Sequence, residues 1–270
     1  MAAFSLGIPR RALRVQANVV GALVLREVRT RFGHSGVGWI WLLCEPLIQC
    51  LVYVLLYEFL RTRISPLRGT DIAEFMLSGI VPWLFYMRST SQVAHAIESN
   101  RALLVYPQVT PLDIAIARTI LEALIMYVVV AFLLLMKWFL TGDGSVGDLL
   151  AIIVACADLA IMGFGIGLMV MAASHFFPIL QLTFAYINRM LYFTSGIFFT
   201  LSALPPGYRA YVDWNPLLQA IEWARNAYLS LPSNDLLNTA MLTVVVPGLA
   251  ALGILAERAT RDIAKRASTS

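Results

Sequence analysis

Long apolar runs constrain this sequence more than any other feature. An α-helix rises 1.5 Å per residue, so about 20 apolar residues cross the hydrocarbon core of a membrane. Apolar residues make up 59% of the chain and charged residues only 13%, a balance that excludes disordered, fibrous and nucleic-acid-binding proteins. The sequence therefore predicts an all-α polytopic membrane protein with six transmembrane helices. The six windows are residues 37–60, 72–96, 112–140, 149–173, 176–201 and 236–256.

The distribution of basic residues predicts how the six spans are oriented. An even number of spans places both termini on one side. That side carries eleven lysines and arginines, in the N-terminal segment, at Arg101 and in the tail, against six on the opposite side. Because positively charged loops stay in the cytoplasm, both termini are expected there, with the basic ends lying against anionic lipid.

Residues 11–33 form an amphipathic segment ahead of the first window. Apolar side chains alternate with basic ones, and Glu27 and Arg31 have the spacing of a favourable i,i+4 ion pair. Such a helix lies in the plane of the lipid head groups. It serves either as a simple membrane anchor or as a platform for a cytoplasmic partner.

The connection between the second and third windows is bounded by two helix stops. A short helix is expected from Glu98 to Tyr106, where Pro107 ends it. Thr110 then caps the next helix, which has Pro111 at its first position. The segment is either an ordinary connector or a loop shaped to be gripped by a partner, and its spacing leaves both interpretations open.

The segment between the fifth and sixth windows, residues 203–230, is the least regular. Residues 205–207 read Pro-Pro-Gly and predict a turn, and Asn215 caps a helix over residues 217–229. At about 14 residues this helix is too short to span. We expect a re-entrant or interfacial pair of half-helices on the outer side, next to an aqueous pathway.

Ionisable residues inside the windows point to function, because a charge in the membrane faces the bundle interior or water. Arg189 lies near the middle of the fifth window. It is either a cation on the wall of a conduit for an anionic substrate, an internal partner of Asp158, or a snorkelling side chain. Asp158 is expected to hydrogen-bond to its neighbours. Structural ion pairs are expected between Arg118 and Glu122, and between Glu45 and one of Arg26, Arg29 and Arg31.

Catalytic and metal-binding motifs are missing from the sequence. The spacing of Gly142 and Gly147 resembles a P-loop, but Asp148 follows where lysine is required, so this chain does not hold a nucleotide in that way. The histidines are far apart and no metal-ligand pattern occurs. The run Gly163-x-Gly165-x-Gly167 favours close helix packing instead.

Several segments together resemble the permease subunits of polysaccharide-exporting ABC transporters. The resemblance covers essentially the whole chain and is greatest to the Gram-negative capsular-polysaccharide export permeases. The segments that carry it are residues 25–41 with Cys44-Glu45-Pro46-Leu47, Ala96-Ile-Glu-Ser-Asn100, Tyr106-Pro107, residues 111–118, Leu191-Tyr-Phe-Thr-Ser-Gly-Ile-Phe-Phe199 and Trp214-Asn-Pro-Leu217.

The resemblance implies a non-catalytic subunit of an exporter in the bacterial inner membrane. It implies a homodimer paired with two copies of a soluble ATPase, which binds the ATP and Mg²⁺, so no cofactor is expected in this chain. The implied substrate is a lipid-linked, acidic capsular polysaccharide, passed on to a periplasmic and outer-membrane export machinery. The domains would be an interface segment at 1–36, a transmembrane domain at 37–256 that includes a coupling loop at 98–110, and a basic tail at 257–270.

The resemblance also assigns roles to candidate residues. The coupling contacts to the ATPase would be Arg26, Arg29, Arg31, Glu98, Asn100, Leu104, Tyr106 and Pro107. The substrate conduit would contain Arg189 with Tyr186, Tyr192, Phe193 and Phe198, since aromatic faces let a sugar polymer slide. The outer gate would contain Pro205, Tyr208, Tyr211, Trp214 and Trp223.

Two other classes of protein are weighed against this interpretation. A membrane-embedded glycan or acyl transferase would bring histidines and carboxylates together on one face, whereas the three histidines here are scattered. An ion-coupled carrier would have paired broken helices at matching positions in two halves, whereas the break here is single and late.

Overall fold

The structure is a computed structural model that describes residues 10–32, 36–59, 71–106, 108–142, 146–231 and 237–267, and all regular structure in these ranges is helical. The prediction of an all-α protein is confirmed for this part of the chain. The helices are α1 (Arg10–Phe32), α2 (Gly36–Phe59), α3 (Ile72–Ala94), α4 (Ala96–Ser99), α5 (Pro111–Thr141), α6 (Leu149–Ser174), α7 (Ile179–Thr194), α8 (Pro206–Val212), α9 (Pro216–Tyr228) and α10 (Thr239–Ala267), with 3₁₀ turns at Arg101–Val105 and Leu201–Ala203.

Three of the described helices are long and apolar enough to cross a membrane by themselves. They comprise Pro111–Thr141, Leu149–Ser174 and Thr239–Arg261, and α2 adds a shorter apolar stretch at Cys44–Leu56. These helices coincide with predicted windows to within a few residues at most of their ends. The predicted amphipathic segment ahead of the first window is also helical, as α1.

The predicted starts of α5 and α9 are confirmed. Each start depends on capping by residues that are close in the sequence. Thr110 and Asp113 form a reciprocal capping box, in which each side chain accepts from the other residue's backbone N–H. Pro111 occupies the first turn of α5, where its missing N–H costs nothing. Asn215 caps α9 by accepting from the N–H of Leu217 at 3.1 Å.

The fifth window is helical over a shorter stretch than predicted. Instead of continuing to residue 201, α7 ends at Thr194 after 16 residues, which is about 24 Å of helix. Gly196 then adopts a φ of +78°, a left-handed conformation in which glycine carries no Cβ penalty. The chain reverses through residues 195–200 before the short helices α8 and α9.

The glycine-rich run of α6 packs closely against two helices, as the sequence predicts. A Cβ at Gly163 would lie 2.6 Å from the carbonyl oxygen of Tyr86, and Gly167 faces the same helix, α3. A Cβ at Gly165 would lie 2.5 Å from the carbonyl oxygen of Leu249 in α10. Helix α6 is therefore held between α3 and α10 at backbone contact distance.

Two apolar clusters divide the interior. The larger one packs α3 and α6 against α9 and the inner side of α2 and α5. The smaller one packs α1 against the end of α3, the start of α5 and the end of α6. The helix α1 is therefore held by its own apolar cluster, separate from the one in the centre of the bundle.

Candidate functional site

At one end of the bundle, α1 and the loop after α4 enclose a groove. Its volume is about 350 Å³, and it lies between Arg26 with its neighbours in α1 and the segment from Tyr106 to Val109. Arg26 donates a hydrogen bond to Oδ1 of Asn100 at 3.4 Å across the two elements. Asn100 is buried and its side chain also donates to the carbonyl of Ala96, so this contact fixes the loop against α1.

The predicted coupling residues divide into exposed and packed ones. Arg29 and Glu98 are exposed, as is Tyr106 at 62%. Leu104 is partly buried and packs against the smaller apolar cluster, while Pro107 lies outside the described residues. Sequence reasoning missed Val105, which is 80% exposed beside Tyr106. The available signal was an apolar residue directly ahead of a helix stop.

Arg31 differs from the other basic residues of α1 because it points into the bundle. Its Nη1 donates to Glu122 of α5, its Nε donates to Glu27 at 3.2 Å, and its Nη2 donates to Gln92 of α3 at 3.0 Å. The pair of Glu27 and Arg31 predicted from the i,i+4 spacing is therefore confirmed. Burial works to lower the pKa of the Arg31 guanidinium, but the carboxylates of Glu122 and Glu27 outweigh burial and hold that pKa above its ordinary value.

The predicted pair of Arg118 and Glu122 is not formed. Arg118 turns toward α1 and α3 instead. Its guanidinium lies 3.6 Å from Glu27 of α1 and donates to the backbone carbonyl of Gln92 in α3 at 3.0 Å. Glu122, only 1% exposed, is held instead by Arg31 and by Nε of Arg88 at 2.8 Å. The prediction was wrong because partners on neighbouring helices approach more closely than the partner one turn away.

Glu45 also has a different partner from the one expected. It lies 3.6 Å from Nη1 of Arg88 in α3, whereas an arginine of α1 was predicted. Arg88 is thus shared between Glu45 of α2 and Glu122 of α5. Three arginines and three glutamates link four helices, and we call this set the inner charge network: Arg31, Arg88, Arg118, Glu27, Glu45 and Glu122.

The aromatic residues proposed for the conduit are partly clustered. Tyr192 of α7 packs against Phe198 with ring centroids 5.1 Å apart, against Tyr53 of α2 at 5.5 Å and against Trp83 of α3 at 5.6 Å. Phe193 lies 5.9 Å from Phe198. The structure therefore brings Tyr192, Phe193 and Phe198 together where α7 meets α2 and α3.

The remaining conduit candidates lie on the outward face of α7. Arg189 is exposed, as is Tyr186 at 62%, and α7 has no buried residue. Within the described part of the chain Arg189 forms no ion pair, so the interpretation as an internal partner of Asp158 is not supported. Asp158 is partly exposed on α6, and the expected hydrogen bonds to neighbours are absent from the described residues.

The outer-gate candidates form an exposed aromatic surface on and around α8. Tyr208 is 68% exposed, Tyr211 75% and Trp214 71%, and Pro205 is exposed as well. Trp223 differs because it lies on α9 and packs against the larger apolar cluster.

Arg225 of α9 fixes the backbone of residues 196–199 to the bundle, and sequence reasoning did not single it out. The guanidinium is fully buried and 3.1 Å from Glu222. It donates to the carbonyls of Gly196, Ile197 and Phe199 at 2.8, 3.1 and 3.2 Å. These three carbonyls lie after the end of α7 and have no helical hydrogen-bond partner. Non-helical backbone inside a bundle needs such partners. The available signal was the i,i+3 spacing of Glu222 and Arg225, the two charged residues of α9.

Helix α3 is shaped to accept this guanidinium. The carbon of the Arg225 guanidinium lies 4.4 Å from the ring centroid of Phe75, in cation–π geometry. A Cβ at Gly79 would lie 2.5 Å from Nη2 of Arg225, so only glycine leaves room for it. The chain reversal, α9 and α3 are therefore joined through one side chain.

Among the residues that the structure describes, no group of three or more histidine, cysteine, aspartate or glutamate side chains is placed to hold a metal ion. Cys44, Cys50 and Cys156 are free thiols.

Comparisons with known proteins give one consistent result. Residues 18–229 match the family described as ABC-2 type transporter. The chain is 33% identical to the polysialic acid transport protein KpsM of Escherichia coli over 82% of this chain and 84% of that one. It is 29% identical to the capsule polysaccharide export inner-membrane protein CtrC of Neisseria meningitidis over 80% and 81% of the two chains. It is 25% identical to the capsule polysaccharide export inner-membrane protein BexB of Haemophilus influenzae over 81% and 82%.

Proposed function

The chain belongs to the ABC-2 type transporter family, and on that premise we propose that it is the membrane permease of an ABC transporter that exports a capsule polysaccharide across the inner membrane. The observation that carries this proposal is the similarity to KpsM, CtrC and BexB, which extends over at least 80% of this chain and of each relative. Similarity over that length transfers the role of a whole subunit rather than of one shared segment.

A separate ATP-binding subunit supplies the energy, and this chain is not catalytic. The absence of a P-loop from the sequence supports this assignment. The subunit docks at the groove between α1 and the loop after α4, which Arg26 and Tyr106 line, and the exposed residues Arg29, Glu98 and Val105 add further contacts. Arg31, Asn100 and Leu104 act behind that surface by holding α1 and the loop in place. Two copies of each chain form the complex, and ATP and Mg²⁺ are bound by the partner.

Six spans complete the transmembrane domain between residues 37 and 256. The spans are α2, α3, α5, α6, α7 and α10, of which α7 is the shortest at 16 residues. The basic tail at 257–270 and the interface segment at 1–36 lie in the cytoplasm. The short helices α8 and α9 are re-entrant on the outer side and gate its mouth with their exposed aromatic residues.

The outward face of α7 lines the substrate path, with its counterpart from a second copy on the other side. Two observations support this assignment: α7 has no buried residue, and Arg189 lies among exposed aromatic rings. An intramembrane cation is costly on a lipid-facing surface and favourable beside an anionic polymer. The polysialic acid named for one relative is such a polymer. The polysaccharide is lipid-linked and passes on to an outer-membrane export machinery.

The docking surface gives the test. The chain is co-expressed with its soluble ATPase, and Val105→Asp with Tyr106→Asp is compared with Tyr211→Asp, which changes an equally exposed aromatic residue at the other end of the bundle. We expect the first variant to lose co-purification of the ATPase and ATP-dependent export by tenfold or more, while it still inserts. The control should retain the ATPase. Full co-purification with the first variant, or export by the lone chain in liposomes, would refute the proposal.

A further inference from the structure

A lipid-facing crevice lies on the side of the bundle away from the charge network. It has a volume of about 220 Å³ and opens between α3 and α5, with α6 and α9 forming its floor. Its walls are mostly aliphatic, and residues such as Leu77, Val130 and Leu133 line it. Apolar concavities of this kind on a membrane protein are filled by apolar chains, because a water molecule there would lack hydrogen-bond partners.

The length of the crevice matches one leaflet of a bilayer. Its lining runs from Asp71 to Pro82 along α3 and from Thr141 back to Val130 along α5. Eleven steps of 1.5 Å give about 16 Å along each helix, against about 15 Å for half of a 30 Å hydrocarbon core. The crevice therefore has the reach of a single acyl chain in the leaflet next to the ends of these two helices.

Charged groups of both signs surround the mouth of the crevice. Nζ of Lys137 lies 3.1 Å from Glu74 and 4.8 Å from the ring centroid of Tyr228. Asp71, at the start of α3, is exposed at the same level. The ammonium of Lys137 carries the positive charge at this mouth, and the carboxylates of Glu74 and Asp71 carry the negative charges. Trp138, 56% exposed, adjoins Lys137 as expected where a helix leaves the hydrocarbon.

We propose that this crevice binds one molecule of phosphatidylethanolamine, with an acyl chain along α3 and α5, its phosphate at Lys137 and its ammonium at Asp71 and Glu74. The juxtaposed cation and carboxylates complement a zwitterionic head group better than an anionic one. The assignment of the crevice to the outer leaflet rests on the proposed topology of the permease. Because Tyr228 and Ala224 of α9 line the crevice, bound lipid contacts the helix that also carries Arg225.

Lipid retention measured on the purified full-length chain tests this proposal without any export assay. The protein is exchanged into detergent containing equal amounts of phosphatidylethanolamine and phosphatidylglycerol, and bound lipid is counted by native mass spectrometry. Two variants are compared: Ala73→Trp, which fills the crevice from a partly exposed lining position, and Lys137→Met, which removes the ammonium while keeping the stem. Ala131→Trp, on the exposed face of α5 outside the crevice, is the matched control.

We expect one retained phosphatidylethanolamine in the unmodified protein and in Ala131→Trp, a fivefold or larger loss in Ala73→Trp, and loss of head-group preference in Lys137→Met. Equal retention of the two lipids by the unmodified protein, or unchanged retention in Ala73→Trp, would overturn the proposal. A photoactivatable phosphatidylethanolamine gives a second measurement, with adducts expected in residues 71–82 and 130–141. Failure here leaves ATPase docking untouched, so it is distinct from failure of the proposed function.

Discussion

Arg225 is the residue on which the geometry of the segment from residue 196 to the end of α9 depends most. Its planar guanidinium satisfies three carbonyls that the chain reversal after α7 removes from helical pairing, and it also neutralises Glu222. A lysine ammonium cannot reproduce that fork of donors. We expect Arg225→Lys to cost about 3 kcal/mol or more, the range for damage to a buried ion pair, measured as a lower melting temperature in detergent.

The matched control for this prediction is Arg209→Lys. Arg209 also donates to two backbone carbonyls, those of Leu204 and Ser202, but at a half-exposed site where water can replace it. Its substitution should change the melting temperature little. Gly79→Ala should resemble Arg225→Lys, because the added methyl would occupy the position of Nη2. Equal melting temperatures for Arg225→Lys and the control would show that the reversal does not depend on the guanidinium.

Arg189 is proposed to contact the exported polysaccharide rather than to stabilise the fold. It is exposed on α7 and forms no ion pair with the described residues, so changing it breaks no ion pair among them. We expect Arg189→Glu to reduce export of an acidic polysaccharide tenfold or more and Arg189→Lys to reduce it less than threefold, because only the first reverses the sign of the charge. Surface polysaccharide is quantified in cells with matched amounts of permease. Similar losses in both variants would indicate packing instead.

At the scale of elements, the inner charge network joins the interface helix to the spans. Glu122 is the carboxylate that Arg31 of α1 and Arg88 of α3 share. Glu122→Gln leaves Arg31 with Glu27 and Arg88 with Glu45 as remaining carboxylates, but it removes the charge that ties α1 and α3 to α5, which costs about 2 kcal/mol. We expect α1 to loosen, with trypsin cleaving after Arg26 and Arg29 at least fivefold faster. Glu98→Gln, an exposed glutamate at the same end of the bundle, should leave the cleavage rate unchanged, and equal rates in both variants would contradict a tethering role.

Elements with local signals could be predicted from the sequence, and contacts between elements could not. The starts of α5 and α9 follow from Thr110, Pro111 and Asn215, whose capping involves only neighbouring residues. The early end of α7 has one local signal, Gly196, but the groups that hold the non-helical backbone after it come from Arg225, about thirty positions further on. The same reason explains why Glu122 was assigned to Arg118: helix spacing gives the partner one turn away, whereas the fold supplies closer ones on α1 and α3.

At the scale of the molecule, different polar interactions stabilise the two ends of the bundle. At the end that carries α1, ion pairs between four helices fix a surface rich in arginine. At the other end, one buried guanidinium fixes a chain reversal beneath exposed aromatic side chains. Helix α3 contributes to both ends, through Arg88 to the first and through Phe75 and Gly79 to the second. Helix α3 is therefore the element that the packing of both ends has in common.

This arrangement requires α8 and the groove beside α1 to lie on opposite sides of the membrane. A cysteine at Gly207 tests it, because Gly207 is exposed and a Cβ there meets nothing within 4 Å. With Cys44, Cys50 and Cys156 replaced by alanine, we expect Gly207→Cys to react with a membrane-impermeant maleimide added outside spheroplasts. Arg29→Cys, in the exposed face of α1, should react only after the membrane is permeabilised. The opposite pattern would invert the topology and move the exposed aromatic surface to the cytoplasm, where it could not gate an outer mouth.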